Sequence, residues 1–166
     1  MDYNYLPNTK IKVSKICLGT MTWGRQNNQY EAFDQMNYSI DRGVNFFDTA
    51  ELYPVPASPD KYAITEEIIG NWFQKSKKRD KVILATKIAG PGDYTAHIRK
   101  SGFKGSSIED AVNGSLKRLK TDYIDLYQLH WPERITNTFV NRNFQYFNDS
   151  WDCLLYTSPS PRDATL

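Results

Sequence analysis

Asp48, Tyr53, Lys87 and His130 are the residue types needed to make a tyrosine donate a proton. An isolated tyrosine titrates near pKa ~10, too high for efficient proton transfer at neutral pH. A cation within hydrogen-bond reach stabilises the phenolate and lowers that value, and Lys87 can supply the cation. Asp48 can hold the ammonium in place, and a neutral His130 can donate to a carbonyl oxygen and aim it at Tyr53. Such a set would protonate a developing alkoxide. It needs a hydride donor and no metal, and the sequence holds no Cys/His cluster with ligand spacing.

Each residue also has a plainer role. Asp48-Thr49 can cap a helix, Lys87 can be a surface lysine, and Tyr53 before Pro54 can be a packed loop aromatic. His130 before Trp131-Pro132 can be structural. Their placement narrows the choice. Asp48 and Tyr53 lie in Phe46-Phe47-Asp48-Thr49-Ala50-Glu51-Leu52-Tyr53, Lys87 closes a run that begins at Val82, and His130 follows a run that begins at Ile124. Active sites of parallel α/β barrels are built at the C-terminal ends of strands.

The elements that must position these residues alternate. Residues 15–19, 44–47, 81–86 and 124–128 read as strands. Residues 31–42 carry Phe33, Met36 and Ile40 at helical spacing, with Gly43 as a stop. Residues 63–75 place Ile64, Ile68 and Trp72 on one face. Residues 107–119 form the clearest helix, with Ile108, Ala111, Val112, Ser115, Leu116 and Leu119 in one stripe. Ser106 or Ser107 is its expected N-cap, with Glu109 and Asp110 in the first turn. This β-α-β-α-β-α-β order predicts parallel β-α units. Residues 3–13 predict a small hairpin closing the bottom of the sheet. After His130 the period is lost, and the Ser-Pro-Ser-Pro near the C-terminus cannot continue a helix or a central strand.

The quoted motifs resemble those of the aldo-keto reductases, as do Leu18-Gly19-Thr20, Ser115-Leu116-Lys117-Arg118-Leu119, Asp122-Tyr123-Ile124-Asp125-Leu126-Tyr127 and Leu129-His130-Trp131-Pro132. The resemblance runs from about Tyr3 to Trp131. It implies an NADP(H)-dependent oxidoreductase on a (β/α)8 barrel, acting on a small-molecule carbonyl substrate. It implies Tyr53 as general acid, Lys87 and Asp48 as its tuners and His130 as the carbonyl-orienting residue. Gly19, Thr20, Met21, Gln26 and Asp48 would approach the cofactor, and Trp23 and Trp131 would line the substrate pocket. The absence of a Gly-x-Gly-x-x-Gly sequence agrees with a family that binds its dinucleotide without a Rossmann fold. Related barrels also act as cofactor-sensing subunits of membrane channels, and in them the histidine position can be replaced. His130 favours the enzyme. A half-barrel that works by dimerising is a third alternative.

A whole β/α barrel takes roughly 250 residues. The expectation for these 166 residues is therefore about four β-α units in residues 1–151, inactive alone, followed by an irregular tail over 152–166. The string from about Cys153 onward resembles translated adapter sequence and is expected to be non-native. The grip on the 2′-phosphate and pyrophosphate would lie on later strands. A net charge of +2 gives no reason to expect nucleic acid or an anionic membrane as partner. The cluster Lys75, Lys77, Lys78, Arg79 and Lys81 reads as the solvated end of a helix. Cys17 reads as a small buried side chain, and two distant cysteines make no disulfide framework. A polar N-terminus without an apolar core and the lack of a run of ~20 apolar residues predict a cytoplasmic protein.

Overall fold

The computed structural model describes residues 1–104 and 106–133. The aperiodic stretch after Glu133, the boundary near residue 151, Cys153 and the Pro-rich tail lie outside the described residues. The elements are β1 (Tyr3–Tyr5), β2 (Lys12–Ser14), β3 (Cys17–Gly19), α1 (Gln29–Asp41), β4 (Phe46–Asp48), α2 (Ile64–Ser76), β5 (Ile83–Ile88), α3 (Ser107–Leu119) and β6 (Leu126–Leu129).

β1 and β2 pair antiparallel, the expected hairpin. Asn45 fastens it to the start of β4. Its Oδ1 accepts from the Ser14 amide at 2.7 Å and its Nδ2 donates to Lys12 O at 3.0 Å. Tyr3 adds a hydrogen bond to Gly43 O at 2.8 Å. β3, β4, β5 and β6 form one parallel sheet in that order. This is the α/β architecture of an incomplete (β/α)8 barrel, led by a hairpin.

Side chains alternate across each strand. Phe47 and Leu84 point toward the helices and join a core with Met36, Ile69, Trp72 and Leu119. Each such large apolar side chain contributes ~1.5–3 kcal/mol when fully buried. Thr86 points the same way and donates to Glu66 of α2. Asp48 follows Phe47 and Lys87 follows Thr86, so both face the opposite, inner side.

α3 has the predicted bounds. Ser106 takes the N-cap position, yet its hydroxyl donates to the Asp110 side chain at 2.7 Å and caps no backbone amide. α1 starts earlier than expected, because Asn28 and Glu31 form a reciprocal capping box. Gly43 stands just past its C-cap with φ of 82°, as a helix stop requires. Gly70 lets α2 approach α3, since a Cβ there would lie 2.2 Å from Arg118 O.

Two expectations fail here. Cys17 is exposed, because it sits on β3, an edge strand, and alternates with Leu18, which takes the core side. Arg79 leaves the solvated cluster and turns inward. It donates to Val82 O, Tyr123 O, Thr121 and Asp125, and its guanidinium lies 3.8 Å from the Tyr123 ring centroid. The planar fork of arginine suits such a knot of carbonyls and carboxylate better than a lysine would. No described helix is long and apolar enough to cross a membrane.

Candidate active site

Asp48 is the last residue of β4, Lys87 the penultimate residue of β5, and His130 the first residue after β6. All three therefore arrive at one end of the sheet. Their register is fixed by backbone ladders that pair Asp48 with Ala85 and Lys87 with Gln128. The His130 amide adds a hydrogen bond to Ile88 O at 3.1 Å.

Lys87 Nζ donates to Asp48 Oδ2 at 2.7 Å and to Thr49 O at 2.7 Å. The lysine side chain is only 12% exposed, so the ion pair is mostly shielded from solvent. From there Nζ stands over the Tyr53 ring, 5.1 Å from its centroid. His130 stands edge-on to Tyr53, with ring centroids 5.7 Å apart and planes at 79°. Asp48, Tyr53, Lys87 and His130 are thus brought together.

The electrostatics differ from the sequence expectation in one respect. Burial first, and then the Asp48 carboxylate, push Tyr53 up to about 12. The ammonium of Lys87 is shared with Asp48 and Thr49 O and does not offset burial and the Asp48 charge. Tyr53 is held as a proton-loaded hydroxyl. His130 moves the other way. Burial and the neighbouring Lys87 lower it to about 4, so the imidazole is neutral at physiological pH. Its Nδ1 is buried with no hydrogen-bond partner among the described residues.

Trp131 packs against His130 at 5.1 Å between ring centroids, and its indole donates to Pro91 O at 3.0 Å. Gly90 makes room for it, because a Cβ there would lie 2.3 Å from the indole nitrogen. Trp23, in contrast, lies in the main core and is 1% exposed, with its indole donating to Gln35 at 2.8 Å. At that exposure it presents almost no surface to a substrate among the described residues. A Trp a few residues past a strand end carries no sequence signal to separate the two fates.

Of the residues expected near a cofactor, Gly19 is exposed and nothing lies within 4 Å of where its Cβ would be. Met21 is half exposed, and Gln26 is exposed on the turn that follows. Thr20 is buried instead, its hydroxyl donating to Asp48 O at 2.9 Å. It braces Asp48. No group of three or more metal-ligating side chains occurs among the described residues.

Sequence reasoning missed a second polar cluster on the helix side of the same strand ends. Glu51 is buried and accepts from Arg99, Tyr62 and the Ala89 amide. Arg118 donates to buried Glu66 at 2.7 Å. The Tyr127 hydroxyl is buried near them with no partner among the described residues, and burial raises its pKa. Glu51, Arg118 and Tyr127 lay within quoted motifs, but those motifs gave them no role in a buried cluster. Arg99 and Glu66 had no motif to mark them.

The aldo/keto reductase family model matches residues 15–155. Protein tas of Escherichia coli (strain K12) is 44% identical over 148 residues, covering 88% of this chain and 43% of that protein. Norsolorinic acid reductase B of Dothistroma septosporum is 33% identical over 151 residues, covering 82% of this chain and 36% of that protein. An aldo-keto reductase from Bacillus halodurans, solved in its holo form, superposes with a TM-score of 0.60 at 32% identity, covering 78% of this chain and 40% of that one. The chain thus spans about four-tenths of the length of the relatives it matches. With Asp48, Tyr53, Lys87 and His130 gathered at the ends of parallel strands and the family model matching from residue 15 to residue 155, this chain belongs to the aldo/keto reductase family.

Proposed function

We propose that these residues form the proton-delivering part of a reductase that converts aldehydes or ketones to alcohols with NADPH. The observation that supports this best is the Lys87–Asp48 ion pair seated beneath Tyr53, with a neutral His130 edge-on at the same opening. The cofactor, when bound, supplies a hydride to the carbonyl carbon. The open strand ends at Gly19, Met21 and Gln26, with the half-buried Asp48, suit the approach of its nicotinamide end.

The chain's own residues do the rest. His130 is neutral and donates from its ring N–H to the carbonyl oxygen, which fixes that oxygen next to Tyr53. Trp131, held by Pro91 and Gly90, gives the substrate an apolar wall beside His130. As negative charge grows on the oxygen, Tyr53 gives it the hydroxyl proton. Lys87 stands close enough to stabilise the phenolate left behind, and Asp48 keeps the ammonium in place.

The test is NADPH-dependent turnover of an aromatic aldehyde by a barrel that carries this segment, with Tyr53→Phe beside it. A drop of ~10²-fold or more in kcat supports the reading. Unchanged turnover in Tyr53→Phe sinks it.

A further inference from the structure

Resting on the proton-delivery reading above, we propose that Glu51 and Arg99 are positioning residues: their buried ion pair clamps the segment between Asp48 and Tyr53 onto residues 87–89 and so sets where Tyr53 stands relative to Lys87.

The clamp begins where the sheet ends. The β4–β5 register stops at Asp48 and Ala85. Beyond it the Thr49 amide still reaches Ala85 O at 2.9 Å, and the Glu51 amide reaches Lys87 O at 3.0 Å. The next rung is made by a side chain. Glu51 Oε2 accepts from the Ala89 amide at 2.9 Å, in the place a backbone carbonyl would take. Both ends of Lys87 are therefore tied to residues 48–51. Its carbonyl is held by Glu51, and its ammonium by Asp48 and Thr49. Tyr53 follows Glu51 by two positions, and its amide donates back to Ala50 O at 3.1 Å.

A carboxylate buried this deeply is costly unless its charge and lone pairs are met. Arg99 meets them with both terminal nitrogens, one on each carboxylate oxygen, and Tyr62 adds its hydroxyl at 3.1 Å. Burial works against the Arg99 charge, but the hydrogen bonds and charge of Glu51 outweigh it and raise its pKa. Arg99 belongs to the segment between β5 and α3. That segment is tied again to the other side of Tyr53, where the Ala57 amide donates to the Tyr94 hydroxyl at 2.6 Å. A buried ion pair is weak evidence for stability, because an apolar pair of similar volume often serves as well. What an apolar pair could not do is hold the Ala89 amide.

The deciding measurement is carbon NMR of Tyr53 Cζ through its titration, assigned with Tyr53→Phe, beside urea unfolding of each variant. Asp48, Lys87 and His130 surround the phenol, and Glu51 is not among the groups that raise its pKa. A change in its midpoint on Glu51→Gln therefore reports that Tyr53 has moved. We expect the midpoint to fall by roughly one unit, about tenfold in proton affinity, toward the ordinary ~10. Arg99→Lys loses the two-pronged contact and should shift it by less. Should Glu51→Gln not fold, Arg99→Lys decides alone. A folded variant of either kind that loses stability with the Tyr53 midpoint unmoved overturns the proposal. The functional reading fails separately, through unchanged turnover in Tyr53→Phe.

Discussion

The His130 ring meets the Tyr53 ring edge-on, at 79° and 5.7 Å between centroids. The two aromatic groups are thereby held near right angles, and the contact shields each from water. The same shielding separates their protonation. One keeps its proton far above neutrality and the other refuses a second proton far below it.

This separation predicts a pH dependence. The folded state holds His130 at about 4, below its ordinary 6.5. The unfolded chain therefore binds a proton at this position first as pH falls. The contribution is fully present above pH 6.5 and is lost between 6.5 and about 4. Urea midpoints measured across that range should fall, and His130→Gln should flatten part of the slope. An identical slope in the variant would count against a neutral His130.

Asp48→Asn should leave the Lys87 ammonium with only neutral acceptors, and no countercharge, in the shielded site. The expected loss is about 1–3 kcal/mol, less than for a fully buried pair because the Asp48 side chain is 29% exposed. Adding Lys87→Met should recover part of it, since no charge is then left unpaired. Additive losses in the double variant would show that the pair is uncoupled.

Gly90→Ala places a methyl group 2.3 Å from the Trp131 indole nitrogen. The indole must leave Pro91, and we expect a red-shifted tryptophan emission with a loss of about 1–3 kcal/mol. Trp23 and Trp72 are 1% exposed and should not respond. Unchanged emission would show that Trp131 does not pack on Gly90.

Gly70→Ala sets two effects against each other. Alanine favours a helix interior by about 1 kcal/mol over glycine. Here its Cβ would lie 2.2 Å from Arg118 O and 2.8 Å from the Leu119 carbonyl carbon, and backbone cannot swing aside. The clash should win, with a net loss of at least about 1 kcal/mol in denaturant unfolding. A stabilised variant would mean that α2 and α3 are farther apart than described.

The sequence made the architecture legible where the signal is periodic and local. The stripe and terminal charges of α3 place both its ends, and Gly43 closes α1. Strand limits were less legible. β-branched runs mark where a chain prefers to extend, whereas pairing decides where it does, and Asp48 belongs to β4 although it looks like a cap. The four residues of the site could be read because three stand at or near the end of a strand-like run and Tyr53 follows Asp48 by five positions. Their electrostatics could not. Whether Lys87 acidifies Tyr53 depends on which way its ammonium turns, and Asp48 and Thr49 decide that. Glu51–Arg99 and Glu66–Arg118 join residues 48 and 52 positions apart, and no local pattern foretells such pairings.

The registers of β4, β5 and β6 carry one further consequence. Thr86 and Tyr127 sit side by side on one face, and Lys87 and Gln128 on the other. Inserting or deleting a single residue within β5 would exchange the two faces beyond that point. An insertion would put Thr86, and a deletion Ile88, in the place of the lysine beneath Tyr53, and the lysine would be driven against the helices. Substitution here is graded, but a change in strand length is not: the spelling of these strands can drift while their letter count cannot.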